Sequence, residues 1–473
     1  MDELVSLLAR YFPFPPTRGQ EEVLRVFAAF MLSPVERSAM LLRGSAGTGK
    51  TTLTAAIVRA LAAHGRKVVL LAPTGRAAKV LSLNAGMPAF TIHRKIYRQK
   101  TFEGTFGLND NLHADTLFVV DEASMVANDG FAQSVFGSGR LLDDLTQYVY
   151  NGRGCRLMLI GDTAQLPPVG EEESPALSSA FMRGYGLEVF DADLREVLRQ
   201  SALSGILYNA TVVRQMITHD EMTQLPKITF HGFADISVVN GSDLIEQLSS
   251  SYAEVGHDET MVVTRSNKRA NIYNMGIRNM VLGCEEQLTT GDMLMVVKNN
   301  YFWAEQQEKA PLAFIANGDR AMVRRVRNVH ELYGLHFADL TLAFPDYDGY
   351  ELTATVVTDS LMSEAPALTQ EQNRALFDGV MADYADVRTK RERIDRVKHD
   401  CHFNAIQIKY AYAVTCHKAQ GGQWAHVYVD QGYMTDDMLT PDYIHWLYTA
   451  FTRATEKLFL VNWPKQQVAD SVG

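Results

Sequence analysis

The chain lacks several features that would assign it to particular classes of protein. Its four cysteines in 473 residues are far apart and form no CxxC pair. Disulfide frameworks and zinc ribbons need such pairs, so the sequence predicts reduced thiols, no zinc site and a cytoplasmic location. No run reaches the roughly 18 uninterrupted apolar residues that span a bilayer. The acidic start Met1-Asp2-Glu3-Leu4 is unlike a signal peptide. We therefore expect no membrane association.

An excess of positive charge is also absent. The formal net charge is −10, which argues mildly against nucleic-acid binding because such proteins are usually basic. Only the charges that line a groove meet the phosphates, however, so the balance leaves a nucleic-acid partner open. An apolar content of 47% and a charged content of 21% are ordinary for a globular protein. At about 150 residues per domain, the length predicts two to four domains.

The first 190 residues alternate short apolar runs with helical patterns, which predicts a parallel sheet covered by helices. Candidate strands are Ser38–Arg43, Lys67–Ala72, Thr116–Val120 and Cys155–Ile160. Each is followed by a polar or glycine-rich segment: GSAGTGKTT, PTGRAA, DEAS and GDTAQLPP. Ligands gather at the carboxyl ends of parallel strands, so an active site is expected along one edge of this sheet.

A second set of strands predicts another α/β lobe, and two insertions interrupt the pattern. The later strands are Asp235–Val239, Glu259–Val263, Tyr412–Thr415, His426–Val429 and Lys457–Val461. Between about 292 and 405 we expect a mostly β subdomain with strands Leu294–Val297, Ala321–Val326 and Glu351–Val357, then a helix from about 369 to 399. Between 91 and 116, the segment Thr101–Gly107 predicts a hairpin with Phe102 and Phe106 as candidate wedges.

The segment Gly44–Thr51 fits the phosphate-binding pattern G-x-x-x-x-G-K-[ST], with a strand before it and a helix after it. Backbone N–H groups and the helix N-terminus would bind phosphate oxygens. Lys50 would reach the β- and γ-phosphates, and the Thr51 hydroxyl would bind Mg²⁺. The predicted nucleotide-binding residues are Gly44, Ala46, Gly47, Thr48, Gly49, Lys50, Thr51 and Thr52.

Three polar residues at the same predicted sheet edge are candidates for catalysis. Asp121 follows an apolar strand and would hold Mg²⁺ with Thr51, while Glu122 would orient and deprotonate the attacking water. An Asp-Glu pair after a strand is often only a helix cap, but its place beside a phosphate loop favours catalysis. The amide of Gln165 would touch the γ-phosphate and report its presence.

These motifs and their order resemble those of superfamily 1 helicases, within the 5′-to-3′ branch of RecD-like and Dda-like enzymes. The resemblance extends from Gln20 to Arg453. The matching segments are PTGRAAKVL (73–81), TIH (91–93), DEAS (121–124), GDTAQLPPVG (161–170), LREVLRQ (194–200), VTCHKAQGGQW (414–424) and YTAFTRA (448–454).

The resemblance implies an α/β fold with two RecA-like P-loop domains. It also implies a small hairpin insertion in the first domain and an SH3-like β insertion in the second. The expected divisions are 1–90 with 117–190 for the ATP-binding domain, 91–116 for the hairpin, 191–291 with 406–473 for the second RecA-like domain, and 292–405 for the β insertion.

The resemblance also implies roles for residues that their own chemistry does not reveal. Gln20 would read the adenine edge. Arg199 and Arg453 would approach the γ-phosphate from the second domain as arginine fingers, and Gln420 or Gly421 would contact nucleotide. The implied DNA contacts are Pro73, Thr74, Gly75 and His93 in the first domain and Thr264, Asn267, Thr415, His417 and Lys418 in the second.

The function that this resemblance implies is an ATP-dependent DNA helicase that translocates 5′-to-3′ on single-stranded DNA and unwinds duplex. ATP and Mg²⁺ would be its cofactors. Single-stranded DNA and duplex junctions would be its partners, with replication or repair proteins as possible further ones, and the enzyme would act as a monomer. Two alternatives stay open: a translocase on single-stranded DNA or RNA with weak unwinding, and an ATP-dependent switch that is not a motor.

Overall fold

The computed structural model describes residues 1–99, 106–129, 137–196, 204–219, 224–305, 314–435 and 438–469. Within these ranges the α-helices are α1 Asp2–Ala9, α2 Arg18–Leu32, α3 Lys50–Ala63, α4 Gly75–Ala85, α5 Ile92–Ile96, α6 Leu141–Asn151, α7 Ser179–Gly184, α8 Gly205–Thr218, α9 Leu244–Glu254, α10 Asn267–Gly276, α11 Phe302–Glu305, α12 Gln370–Asp383, α13 Lys390–Lys398, α14 Cys416–Ala419 and α15 Pro441–Phe451.

The strands are β1 Ser38–Gly44, β2 Lys67–Ala72, β3 Ala89–Thr91, β4 Tyr97–Gln99, β5 Phe106–Leu108, β6 Thr116–Val120, β7 Arg156–Gly161, β8 Glu188–Leu194, β9 Ile236–Val239, β10 Thr260–Thr264, β11 Met293–Val296, β12 Arg320–Leu332, β13 Leu335–Phe344, β14 Tyr350–Val357, β15 Ile406–Tyr410, β16 Ala413–Thr415, β17 Trp424–Asp430 and β18 Ala454–Val461.

The first lobe is built on a parallel six-stranded sheet in the order β3-β2-β6-β7-β1-β8. Its central strands are buried on both faces, which explains their continuous apolar sequences. One face packs on a cluster that includes Phe27 and Ile57, and the other on a cluster that includes Leu145 and Tyr148. Strand β8 extends to Leu194, so the expected division at 190 falls inside a strand of this sheet.

The second lobe has a parallel five-stranded sheet in the order β16-β10-β17-β18-β9. Helices α8 and α15 pack on each other and against β18. The predicted α/β fold with two parallel-sheet lobes is confirmed.

The interruption of the second lobe is a closed barrel of β11 to β15. Strand β13, which the sequence pattern did not predict, pairs with both β12 and β14. Strand β15 begins at Ile406, so the barrel extends past the expected division at 405. The helix expected over about 369–399 is two helices, because α12 ends at Asp383 and Thr389 opens α13 with a capping box.

The expected hairpin in the first lobe is described only in part. Strands β4 and β5 form an antiparallel pair. The turn between them, with the candidate wedge Phe102, lies outside the described residues.

Two chemical expectations from the sequence bear on the whole fold. All four cysteines are free thiols. Among the described helices, none combines the length and apolarity needed to cross a bilayer.

Candidate functional site

A cavity of about 450 Å³ lies between the two lobes and receives side chains from both. The first lobe contributes Ser45, Ala46, Gly47, Gly49, Lys50, Thr51, Asp121, Glu122 and Gln165. The second contributes Ser204, Ile206, Leu207, Gln423, Thr452, Arg453, Ala454 and Thr455. Residues predicted from three separate motifs of the first lobe and one of the second therefore meet in one crevice.

The phosphate loop connects β1 to α3 and forms one wall of this cavity. Gly47 and Gly49 have φ values of 76° and 82°, which residues with a Cβ rarely adopt. Helix α3 starts at Lys50, so the N–H groups of its first turn lack acceptors within the helix and can bind an anion. The Lys50 ammonium donates to the loop carbonyls of Gly44 and, at 2.9 Å, of Ser45. The arrangement fits a polyphosphate.

The side chains of the loop threonines differ in exposure. Thr51 and Thr52 are exposed at the start of α3, and Thr51 lines the cavity. Thr48 is buried, and its hydroxyl donates to the Ser45 carbonyl at 2.8 Å. The Thr48 hydroxyl therefore serves the shape of the loop in this conformation.

The two acidic residues after β6 also line the cavity. Burial raises the pKa of Asp121 to about 6, and the neighbouring Glu122 charge acts in the same direction. The Glu122 N–H donates to Asp121 Oδ1 at 2.9 Å. Glu122 itself has a φ of 51°, a left-handed conformation that is strained for a residue with a side chain. Both residues line the cavity, where one carboxylate can bind a cation and the other can orient an attacking water.

Two polar atoms beside the phosphate loop are buried without a hydrogen-bond partner among the described residues. They are Gln165 Oε1 and Ser45 Oγ. Buried polar atoms are normally paired, so orphaned ones at a cavity indicate that a ligand or its water completes them. This observation supports the predicted position of Gln165 near a terminal phosphate.

Arg453 enters the cavity from the second lobe and is 1% exposed. Its guanidinium donates to the carbonyls of Thr449 and Gly422 and to the Thr452 hydroxyl, each at 3.0 Å. No carboxylate in the described parts of the chain forms an ion pair with it. A buried charge held only by neutral acceptors is costly, and an anionic ligand in the adjoining cavity would compensate it.

Tyr448, which the sequence reasoning did not single out, joins the two lobes at the phosphate loop. Its hydroxyl donates to the Asp162 carboxylate and accepts from the Ala46 N–H at 3.0 Å. Its place inside the YTAFTRA motif was the available signal, but the partners lie 402 and 286 residues away. Contacts between residues so far apart in the chain leave no local sequence pattern from which they could be predicted.

The loop after β7 is held to the second lobe by three further hydrogen bonds. The Leu166 N–H donates to Thr449 Oγ1 at 2.8 Å, and the Gln420 amide donates to the Leu166 carbonyl at 2.7 Å. His445 Nδ1 lies 2.9 Å from the Ala164 carbonyl. The segment that carries Gln165 is therefore connected directly to α15.

These contacts alter the roles expected for Gln420 and Gly421. The Gln420 amide is committed to Leu166, and neither residue lines the cavity. A Cβ on Gly421 would lie 3.1 Å from Thr74 Oγ1 and 3.2 Å from Met125 Sδ, so this glycine packs against the first lobe. Gln423, two residues further on, lines the cavity instead.

Gln20 lies outside the cavity lining found among the described residues. Gln20 is the third residue of a capping box at the start of α2, in which its Oε1 accepts from the Thr17 N–H at 3.0 Å. This structural role occupies the oxygen of the amide that was expected to read adenine. Arg199 lies outside the described residues.

Three of the residues expected to bind DNA are enclosed by their neighbours: Thr264 and Gly75 are buried, and His93 is half-buried. Thr264 is fully buried, and its hydroxyl donates to the Ser266 carbonyl at 3.1 Å, so its side chain serves the fold in this conformation. Gly75 is buried beneath Tyr347 of the barrel. Burial lowers the pKa of His93 to about 4, and its ring packs near Phe314. These three positions do not form an open polar surface.

The other six expected DNA-binding positions retain some exposure. His417 is exposed, and the remaining ones are half-buried: Pro73, Thr74, Asn267, Thr415 and Lys418. The Thr74 hydroxyl also caps α4 by accepting from the Ala77 N–H at 3.2 Å. Partial desolvation by neighbouring groups lowers the pKa values of His417 and Lys418.

Comparison with known proteins agrees with the motif order. Residues 17–221 match a family model described as an AAA domain, and residues 410–461 match one described as a UvrD-like helicase C-terminal domain. The ATP-dependent DNA helicase Dda of Enterobacteria phage T4 is 24% identical over 436 residues, which are 86% of this chain and 90% of that protein. The chain is a superfamily 1B helicase of the RecD and Dda type.

Other similarities of this superfamily 1B helicase are partial or distant. The ATP-dependent RecD2 DNA helicase of Deinococcus radiodurans is 36% identical over 134 residues, which are 28% of this chain and 16% of that protein. A structure of Bacteroides Pif1 bound to single-stranded DNA is 16% identical and covers 96% of this chain and 94% of its own, with a TM-score of 0.48.

Proposed function

We propose that this superfamily 1B helicase hydrolyses ATP between its two lobes to translocate 5′-to-3′ on single-stranded DNA and to unwind duplex. The observation that carries the proposal is the single cavity lined by Lys50, Glu122 and Arg453. The first two belong to the nucleotide-binding lobe, and the third comes from the second lobe. The direction of movement follows from the family.

The cavity fits ATP with Mg²⁺. Thr51 and Asp121 offer the oxygen ligands that Mg²⁺ prefers, and Mg²⁺ when bound would neutralise charge on the β- and γ-phosphates. Lys50 would leave its loop carbonyls for these phosphates. Glu122 would orient and deprotonate the attacking water, and Arg453 would stabilise charge on the transferred phosphoryl group.

Hydrolysis would be transmitted through the contacts between α15 and the first lobe. Tyr448 binds a phosphate-loop N–H, and Thr449 binds the segment that contains Gln165. Binding or release of the terminal phosphate that shifts Ala46 or Gln165 would therefore displace α15 of the second lobe. We assign Tyr448 and Thr449 to this coupling, separate from the chemical step.

The DNA would cross the surface that carries Thr74, Asn267, Thr415, His417 and Lys418. Small polar and basic side chains grip phosphates without reading bases, which lets a motor release them in each cycle. Acting as a cytoplasmic monomer, the enzyme would engage single strands and duplex junctions.

A strand-displacement assay with 5′-tailed and 3′-tailed DNA and RNA duplexes tests this function. We expect ATP-dependent displacement from the 5′-tailed DNA alone. Displacement only from a 3′ tail would contradict the polarity, and a preference for RNA tails would change the substrate. An ATPase rate unchanged by saturating single-stranded DNA would favour a switch that is not a motor.

A further inference from the structure

A second cavity, of about 730 Å³, lies on the barrel and shares no lining residue with the ATP cavity. Its lining includes two histidines from distant parts of the chain, His330 of β12 and His402 after α13. Cys401 and Asp339 line it as well. None of these residues has a role in the helicase motifs.

The protonation of His330 is fixed by its backbone neighbour. Its Nδ1 lies 2.7 Å from the carbonyl oxygen of Asn328, which can only accept. Nδ1 therefore carries the proton, and in the neutral ring Nε2 presents a lone pair. That lone pair faces His402, whose Nε2 is 3.0 Å away.

The other ring nitrogen of His402 faces a thiol and a carboxylate. Its Nδ1 lies 3.5 Å from Cys401 Sγ and 3.8 Å from Asp400 Oδ1. Asp400 Oδ1 also accepts from the His402 N–H at 2.8 Å, which fixes the turn. In the metal-free protein, a proton on His402 Nε2 makes this contact an N–H···N hydrogen bond to the His330 lone pair. If that proton moves to Nδ1, which faces Cys401 Sγ and Asp400 Oδ1, both Nε2 lone pairs become available to one metal ion beside the pair.

The separation of the two nitrogens suits a shared metal ion. With metal–nitrogen bonds of about 2.0–2.1 Å, two ligands on one ion are about 2.9–3.4 Å apart for angles between 90° and 109°. Imidazole nitrogens favour zinc, cobalt, nickel and copper over magnesium or calcium. Backbone carbonyls and carboxylates that hold the far nitrogen are the usual outer partners of such ligands.

We propose that His330 and His402 bind one transition-metal ion of the zinc class through their Nε2 atoms. Water in the cavity completes the coordination. Asp339 stays outside it, since its oxygens accept from Thr355 Oγ1 at 2.9 Å and Asn328 Nδ2 at 2.7 Å.

The ion would fasten α12 and α13 to the barrel. These helices form the excursion between β14 and β15, and they share a small apolar cluster with Phe337 and Val357. His402 follows the excursion, whereas His330 lies in the barrel wall, so a bond between them closes a loop of 72 residues. The sequence predicted no zinc site because it contains no paired cysteines, and two histidines at this spacing form no motif.

Titration of the full-length, tag-free and metal-stripped protein with Co²⁺ tests the proposal. Isothermal calorimetry and the visible absorption of Co²⁺ should report one equivalent bound per chain. His330→Ala and His402→Ala should each weaken binding by at least about 10- to 100-fold, the loss typical even for outer-shell partners. His399→Ala is the matched control, because this exposed histidine lies near His402 but outside the cavity, and it should bind Co²⁺ like the wild type.

Three controls separate this site from its alternatives. The metal-stripped variants should melt in EDTA at the wild-type temperature and, assayed with Mg²⁺ as the only divalent ion, keep DNA-stimulated ATPase, which excludes misfolding. Cys401→Ser should bind Co²⁺ within about threefold of wild type, since neither ligand atom is removed. Loss of binding in Cys401→Ser with retention in His330→Ala would move the ion to the Nδ1 side and overturn the proposal. Absence of stoichiometric binding by the wild type would mean that a proton bridges the histidines, with the same consequence.

Discussion

The carboxyl edges of the two parallel sheets differ in how their polar residues are used. In the first lobe, the segments after β1, β6 and β7 carry Lys50, Asp121 and Gln165 into the cavity between the lobes. In the second lobe, the residues that end β10 and β17 are occupied within the fold. Thr264 bonds to Ser266, and the Asp430 carboxylate binds Arg269 at 2.6 Å and the Tyr273 hydroxyl. Two sheets of similar topology therefore have unequal chemical roles.

The second lobe reaches the ATP site through α15 and the turn after it. Tyr448 and Thr449 hold the first lobe, and Arg453 faces the cavity. Among the described residues, chemistry is concentrated at the first sheet, while the second lobe contributes the Arg453 charge and the mechanical link. Four experiments test this division, and the first substitution of each is taken in order from the largest expected effect on turnover to the smallest.

Arg453→Ala should reduce ATP turnover by about 10³–10⁵-fold, the range for arginines that stabilise phosphoryl transfer. Affinity for single-stranded DNA should change little, because the guanidinium faces the cavity. Steady-state ATPase and DNA-binding titrations check both expectations. Arg453→Lys is the control: it keeps the charge but loses the planar group, and should recover only part of the rate. A wild-type rate for the alanine variant would show that Arg453 does not act in ATP hydrolysis.

Glu122→Gln should lower turnover by about 10²–10⁴-fold, as expected for loss of a general base, and should retain ATP binding. Lys50→Ala should lose turnover and also weaken binding, because it removes a phosphate contact. Fluorescent-nucleotide titration alongside ATPase assays distinguishes the two. Normal ATP turnover by Glu122→Gln would show that Glu122 has only a structural role in the turn after β6.

Tyr448→Phe should lower DNA-stimulated turnover by about tenfold. The change leaves the Ala46 N–H and the Asp162 carboxylate without their shared partner, at a cost of about 1–3 kcal/mol. Basal ATPase should fall less than the DNA-stimulated rate, because the hydroxyl links the lobes. A proportional loss of both rates would instead assign Tyr448 to the shape of the phosphate loop.

Asp430→Asn should leave turnover within about threefold of wild type and destabilise the second lobe by about 1–3 kcal/mol, since it weakens hydrogen bonds to a buried carboxylate. Thermal melting and ATPase assays measure the two effects. Asp121→Asn, the corresponding strand-end substitution in the first lobe, should abolish turnover. Equal losses of turnover in both variants would contradict the claim that only the first sheet carries catalytic residues at its strand ends.

The parts of the site that sequence predicts best are those with local geometry. The phosphate loop, the Asp121-Glu122 turn and the strands before them are contiguous, and their composition specifies their backbone. Tyr448 was missed because its partners are hundreds of residues away. Gln420 was placed at the nucleotide, although its amide is taken by the Leu166 carbonyl. Side-chain competition of this kind depends on tertiary packing and leaves no periodic signal.

Sequence patterns also predicted some strands and helices of the fold better than others. Short apolar runs made β10 and β17 predictable, whereas β13 was missed, although it is buried along much of its length. The single helix expected over about 369–399 is broken where Thr389 caps α13, a start signal that its charged surroundings concealed. Gln20 illustrates a residue with two compatible roles, of which the capping role is visible here.

A structure of the protein with ADP–aluminium fluoride, Mg²⁺ and single-stranded DNA tests the shared ATP site most directly. The account predicts that an Arg453 guanidinium nitrogen leaves the Gly422 carbonyl and lies about 3 Å from the fluoride that mimics the transferred phosphoryl group. It also predicts Lys50 on the opposite side of the same group. A complex in which Arg453 keeps its carbonyl partners, with the nucleotide held by the first lobe alone, would contradict it.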